Sequence, residues 1–269
     1  MSTPLVLVER DGDVATLTFN DPDRRNAMTR EMGEAFSREV AALGRSAGLR
    51  ALVLTGAGRA FSAGGDLAMI EERAAEGAAE PGLARGRIRA TMRAFYELFL
   101  AVRDLPCPSI AAINGHAIGA GLCVALACDL RIVSNQARLG LNFTRLGLHP
   151  GMGATWTLPR IVGTARAAEL LYTSRLFDAD EALGMGLVSR SLPPEQVLSA
   201  ARGLAAEIAA CAPIAVAGVK RALARSPEVS LQDQLGFEAT EQGICFESRD
   251  VQEGLAAARE RRDPKFRGE

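Results

Sequence analysis

The sequence predicts an α/β chain, and three patterns in it predict that class. Short continuous apolar runs end in loops of small residues, the pattern of buried parallel strands. Between them lie segments with apolar residues at helical spacing, which serve as crossovers between such strands. Beyond Pro193 the strand-like runs stop and only helical patterns remain. A chain of 269 residues is long enough to bury a substantial core in one or two domains. The switch divides it into a strand-rich core, residues 1–195, and a helical C-terminal region, residues 196–269.

In chain order, Leu5–Glu9 and Val14–Phe19 read as strands joined at Asp11-Gly12, a hairpin turn pair. Thr29 caps a helix running to about Leu43, with Met32, Phe36, Val40 and Leu43 on its apolar face. Ala51–Thr55 is a buried strand that enters Gly56-Ala57-Gly58, and Ser109–Ile113 and Leu130–Ser134 repeat the theme. Residues 71–89, rich in Ala, Glu, Arg and Gly, are expected to form a mobile surface segment before a helix over Arg87–Val102. At the C-terminus the expected helices are Glu195–Ala210, Ile214–Ala224, Leu231–Phe246 and Asp250–Arg261, with Pro213 and Pro227 as breaks.

Composition excludes several function classes. Lys plus Arg number 31 against 32 Asp plus Glu, a net charge of −1, which argues against affinity built on nucleic-acid phosphates. Two histidines and no zinc-type His/Cys spacing argue against a metal site. The odd count of five cysteines, without a CxxC pair, suits reduced thiols in the cytoplasm. Met1–Glu9 has no signal-peptide pattern. The longest apolar run, the 12 residues Ala117–Cys128, is short of the ~20 that span a membrane. No membrane or nucleic-acid partner is therefore expected.

Two segments carry the chemistry. In Ala60–Leu67 (AFSAGGDL), small residues let the backbone approach a ligand closely. In Asn114–Cys123 (NGHAIGAGLC), Gly119-Ala120-Gly121 stands where an apolar helix begins, and the first amides of a helix are unpaired and electropositive. One amide from each segment would hold an ester or thioester oxygen as it gains negative charge. Each segment alone also reads as a tightly packed turn.

In order and spacing together, the chain resembles the crotonase (enoyl-CoA hydratase/isomerase) superfamily. The resemblance rests on RRNAMT (Arg24–Thr29), LTGAGRAFSAGGDL (Leu54–Leu67) and PSIAAINGHAIGAGLCVALACDLRI (Pro108–Ile132). It continues in RLGLNFTRLGLHPGMGAT (Arg138–Thr155) and VQEGLAAARERRDPKF (Val251–Phe266). It implies a spiral of ββα units, a helical C-terminal region that builds trimers or dimers of trimers, and an acyl-CoA ligand with no further cofactor. The implied oxyanion donors are the N–H groups of Ala63 and Ala120. Gly64, Gly65, Asp66, Leu67 and Gly119 would line the CoA site, Arg25 and Ala27 the pantetheine path. Lys265 and Phe266 would belong to a tail reaching the adenosine phosphate or a neighbouring acyl pocket. Arg and Lys suit the CoA phosphates, although such side chains are more often simply solvated.

Family hydratases use two glutamates, and the resemblance places Cys123 and Phe143 at their positions. A phenyl ring neither activates water nor carries a proton. Cys123, on an apolar helix, reads as a core thiol in preference to an acid or base. His149 is a candidate base or a turn histidine, and His116 is expected to order its turn. Asp66 reads as a helix cap, with a substrate-facing role as the alternative, and Glu71 and Glu72 read as solvated. The reaction classes compatible with enolate-type charge are hydration, isomerisation, thioester hydrolysis and decarboxylation. A non-catalytic acyl-CoA binder is the alternative. A nucleotide-binding dehydrogenase is rejected, because Phe61 stands where the third glycine of GxGxxG would be.

Overall fold

The computed structural model describes residues 3–269, so Met1 and Ser2, where the segment examined for a leader begins, lie outside it. Strands β1 (Val6–Asp11) and β2 (Val14–Phe19) form an antiparallel hairpin with Asp11 opposite Val14. The two-residue turn is therefore Gly12-Asp13, one residue later than expected, and Gly12 takes the positive φ of 56° that its first position demands. Thr29 caps α1 (Arg30–Arg45) by accepting the Met32 N–H at 3.1 Å. The helix buries Met32, Phe36, Val40 and Leu43, the face its spacing predicts.

A repeating unit follows. β3 (Ala51–Gly56) leads into β4 (Ala60–Ser62), then α2 (Leu67–Ala79) and α3 (Arg85–Leu100). β5 (Ser109–Ile113) leads into β6 (His116–Ile118) and α4 (Ala120–Ala127). β7 (Leu130–Ser134) leads into β8 (Arg138–Gly140), then α5 (Ala154–Val162) and α6 (Thr164–Thr173). The first strands of these units are neighbours in a six-stranded sheet, β1-β2-β3-β5-β7-β10, where β10 is Arg190–Leu192. The second strands are neighbours in a four-stranded sheet, β4-β6-β8-β9, where β9 is Leu176–Asp178, followed by α7 (Ala179–Gly184). Each unit thus advances one strand in both sheets, which makes the chain a spiral of ββα units.

Residues 71–89 depart from expectation: most of them are helical, in α2 and the start of α3. Alanine-rich sequence favours helix, Asp66 caps α2, and Arg87 pairs with both Glu76 and Glu80 to tie the two helices together. The short strands β4, β6, β8 and β9 have too few residues to show a period of two in sequence.

The C-terminal helices are α8 (Pro194–Ala209), α9 (Pro213–Arg225), α10 (Leu231–Glu247) and α11 (Arg249–Glu260), within two residues of the expected ends. Successive β3 residues face opposite sides of the sheet. Leu52 and Leu54 join the larger core with Phe19, Phe36 and Phe99, while Ala51 and Val53 meet Val197, Ala201 and Ala205 of α8. Leu204 and Ile208 pack on that second core, so the α8 stripe serves the chain's own sheet. Among the described residues, no single helix is long and apolar enough to cross a membrane.

Candidate active site

The pairing of β4 with β6 brings the two small-residue segments together. Ser62 pairs with Ala117, so the chain leaving β4 at Ala63 runs beside the chain leaving β6 at Gly119. The approach is close enough that a Cβ on Gly64 would lie 2.5 Å from the Ile118 carbonyl oxygen and 3.4 Å from the Ala120 nitrogen. Gly64 also has φ +93°, a conformation side chains resist. Gly119, at φ 52° and ψ −120°, turns the second segment into α4.

A third segment fixes the first. Arg25 and Asn26 both have left-handed backbones, and buried Asn26 holds them by donating to the carbonyls of Ala57 (2.9 Å) and Ala60 (2.8 Å). Ser62 Oγ donates to the Asn26 carbonyl at 2.7 Å. The Met28 N–H then donates to Gly64 O at 2.8 Å, and the Asp66 N–H to Met28 O at 3.3 Å. Asn26 has the short polar side chain that this backbone tolerates, a signal present in the sequence that motif reading alone passes over.

This pairing corrects one expected donor. The Ala63 N–H donates to the Arg25 carbonyl at 2.9 Å, so it is occupied. The Gly64 N–H is engaged by Ser62 Oγ at 3.1 Å. Where the two segments meet, the amides of Gly65, two residues past Ala63, and Ala120, the first residue of α4, both line the cavity and have no acceptor among the described residues. All eight α4 residues are buried, and its N-terminal dipole adds positive potential at the Ala120 amide.

These amides open on a cavity of about 730 Å³. Its mouth carries Asp23, Arg24, Arg25, Ala27, Asp66 and Leu67, and its walls are mostly apolar, with Ile70 and Met92 from α2 and α3 facing Phe143 and Met152. Asp66 combines two roles: it caps α2 by accepting the Met69 N–H at 3.1 Å, and it pairs with Arg24 at 2.5 Å. Phe143 lines the cavity half-buried, and Gly119 borders it, whereas Gly64 is buried behind it.

Cys123 lies one turn into α4, outside the cavity lining and 2% exposed. Burial pushes its thiol up to about 12, and Sγ faces the Gly151 carbonyl at 3.8 Å. It is therefore unsuited to proton transfer at neutral pH and sits in the core, the reading preferred from sequence. His149 lines the cavity but is exposed, with Nδ1 2.8 Å from the carbonyl of Pro150. His116 ties β6 to β8 by accepting the Arg138 N–H at 2.9 Å, a contact between strands and not within its turn.

Lys265 and Phe266 do not reach this cavity within the chain. The Lys265 N–H donates to Glu253 at 2.7 Å, the Phe266 carbonyl accepts from Arg50 at 2.7 Å, and the Phe266 ring packs near Gly254. Tyr96, absent from every motif, does reach it. Its ring packs on the larger core, and burial holds its hydroxyl above the ordinary tyrosine value.

Known proteins share this whole architecture. Residues 9–269 match the enoyl-CoA hydratase/isomerase family. The chain is 33% identical over 258 residues to the short-chain-enoyl-CoA hydratase of Clostridium acetobutylicum, covering 96% of this chain and 95% of that one. It is 32% identical over 262 residues to the crotonyl-CoA hydratase of Syntrophomonas wolfei, covering 97% of each. The crystal structure of an enoyl-CoA hydratase from Bacillus anthracis superposes with a TM-score of 0.90 at 35% identity, covering 98% of this chain and 100% of that one. Sequence, fold and site thus agree: the chain belongs to the enoyl-CoA hydratase/isomerase family of the crotonase superfamily.

Proposed function

We propose that the protein binds an acyl-CoA thioester and stabilises enolate-type charge on its carbonyl oxygen with the N–H groups of Gly65 and Ala120. The observation that carries this reading is that the amides of Gly65 and Ala120, neither with an acceptor among the described residues, line one mostly apolar cavity. Preorganised donors in a site that excludes water stabilise developing charge without reorganising, and one such donor is worth roughly 100- to 1000-fold in rate. Ala120 donates through its backbone, so its methyl group leaves this function intact. The cavity walls suit the acyl chain, while Arg24 and Arg25 at the mouth suit the anionic groups of CoA. No cofactor beyond the CoA of the substrate is required.

Hydration, isomerisation, thioester hydrolysis and decarboxylation all build charge at this oxygen. By the motif resemblance, Cys123 and Phe143 stand at the positions of the two glutamates of the hydratases. With Cys123 buried and Phe143 apolar, neither supplies a proton carrier. This supports a second reading, an acyl-CoA binder without turnover. A panel of enoyl-, 3-hydroxyacyl- and saturated acyl-CoA thioesters, followed for binding and for turnover, separates the two. Turnover of at least one thioester is expected; tight binding with no turnover across the panel selects the binder, and no binding at all overturns both.

The proposal extends to assembly as a homotrimer or dimer of trimers. Supporting it, the helices beyond α8 leave large apolar side chains exposed, among them Leu223 (68%), Leu231 (70%) and Phe246 (72%). Val219 is also exposed, and Val216 is half-buried. In such an assembly the tail bearing Lys265 and Phe266 would serve a neighbouring copy's site. Five free thiols suit a reducing compartment, which is the basis for a cytoplasmic placement. Light scattering on the purified protein tests the assembly: a monomer mass overturns it.

A further inference from the structure

Tyr96 stands on α3, and its ring packs against the core with Phe95 edge-on, their centroids 6.5 Å apart. Packing accounts for the ring but not for its hydroxyl. A phenylalanine would fill the same space, yet this residue brings an oxygen to a cavity whose lining is mostly apolar, with Phe143, Leu148 and Met152 among it. The hydroxyl has no hydrogen-bond partner among the described residues. The hydroxyl is not sealed in the core, so it is open to a ligand or water in the cavity.

A chain of contacts links it to α4, which Ala120 begins. A Cβ on Gly151 would lie 2.5 Å from Tyr96 Oη, so the hydroxyl rests directly on that glycine. The Gly151 carbonyl in turn faces Cys123 Sγ at 3.8 Å. Cys123 is three residues after Ala120 on α4, about 4.5 Å further along the helix axis. An acyl chain that runs from a carbonyl at the Ala120 amide along the cavity past Gly151 would bring its second and third carbons towards the tyrosine hydroxyl. Burial keeps this hydroxyl protonated through neutral pH, so it is available as a donor.

We propose that Tyr96 is a specificity-determining residue whose hydroxyl donates a hydrogen bond to an oxygen on the third carbon of the acyl group, selecting 3-oxygenated acyl thioesters over saturated ones. The proposal rests on the acyl-CoA reading above, and it assigns a role to a residue outside every motif of the family resemblance.

The test is calorimetric titration with butanoyl-CoA and with each enantiomer of 3-hydroxybutanoyl-CoA, on wild type, Tyr96→Phe and Gly151→Ala. Wild type is expected to bind one hydroxy enantiomer about fivefold to tenfold more tightly than butanoyl-CoA, the scale of one net hydrogen bond. Tyr96→Phe should abolish that preference while leaving butanoyl-CoA affinity unchanged. Gly151→Ala keeps the tyrosine but displaces its hydroxyl, and should have the same selective effect. Equal weakening of all three ligands by Tyr96→Phe would mark a packing role and overturn the proposal, as would an unchanged preference. Wild type that binds butanoyl-CoA without any preference overturns the proposal alone, whereas wild type that binds none of the three overturns the acyl-CoA reading with it.

Discussion

The N–H of Ala63 donates to the carbonyl of Arg25 at 2.9 Å, and this bond determines which amide of the turn after β4 is available to a ligand. With Ala63 held by the Arg25–Met28 segment and Gly64 held by Ser62, the first unengaged amide in the turn is that of Gly65. The RRNAM segment thus contributes more than a wall to the cavity. Its two left-handed residues, fixed by Asn26, set the orientation of the donor strand.

Gly64 and Gly65 are adjacent, yet they tolerate change differently. At Gly64 an alanine meets the Ile118 carbonyl at 2.5 Å with φ +93°. At Gly65 the nearest atom is Ile70 Cδ1 at 3.7 Å, an ordinary contact. Gly64→Ala should lose at least about 1–3 kcal/mol of stability to backbone strain alone, with further loss as β4 and β6 separate. Gly65→Ala should fold normally and keep its amide. Denaturant unfolding checks the first point, and crotonyl-CoA titration of both variants the second. Equal stability of the two variants would contradict this placement of the turn.

Asp66 links helix stability to the cavity mouth. Asp66→Ala removes the α2 cap, at a cost of about 1 kcal/mol, and leaves Arg24 with only its longer pairing to Asp21 at 3.9 Å. Faster hydrogen exchange at Met69 and Ile70 is the expected signature. Asp66→Asn retains an oxygen for the cap but loses the charge, so it should restore slow exchange while still breaking the Arg24–Asp66 ion pair. If exchange rates in the two variants match, the cap is not what holds this turn.

Cys123 and Phe143 offer a gain-of-function test. Phe143→Glu places a carboxylate on the cavity wall, where partial exposure lets it ionise. Cys123→Glu buries one and should cost several kcal/mol unless the backbone or water adapts. The combined variant is expected to hydrate crotonyl-CoA faster than wild type, read as loss of the enoyl absorbance. A folded, ligand-binding double variant with no gain would show that these two positions do not flank the reacting carbons.

The sequence made β3, β5 and β7 of the six-stranded sheet legible because they are short, largely apolar runs, and α1 legible because Thr29 and four apolar residues agree, while it missed the three-residue β10. It left the four-stranded sheet hidden, since Ala60–Ser62 and His116–Ile118 are too short to show alternation. That second sheet is what aligns the two amide segments, so their proximity was readable only through the family resemblance. The choice of Gly65 over Ala63 depends on where one hydrogen bond points, which composition does not encode. Tyr96 carried no motif at all: its α3 periodicity reads as core, and only the fold brings the hydroxyl beside Gly151.

Buried thiols give the protein a stability limit on the alkaline side. Burial raises Cys107 to about 11, and Cys123 and Cys128 to about 12, from an ordinary value of 9.0. Above pH 9 the unfolded chain releases these protons while the folded chain retains them, so rising pH favours unfolding. Their contribution is complete below pH 9 and is lost progressively towards pH 11–12, at a rate on the order of 1 kcal/mol per pH unit for each thiol. Urea unfolding at about pH 8 and again at about pH 10 should show a decline that is shallower in Cys128→Ala than in wild type. Lysines and tyrosines ionise in the same range, but the substitution leaves them in place, so the difference in slope isolates the thiol. Identical slopes would mean that Cys128 is open to solvent, contrary to its 4% exposure.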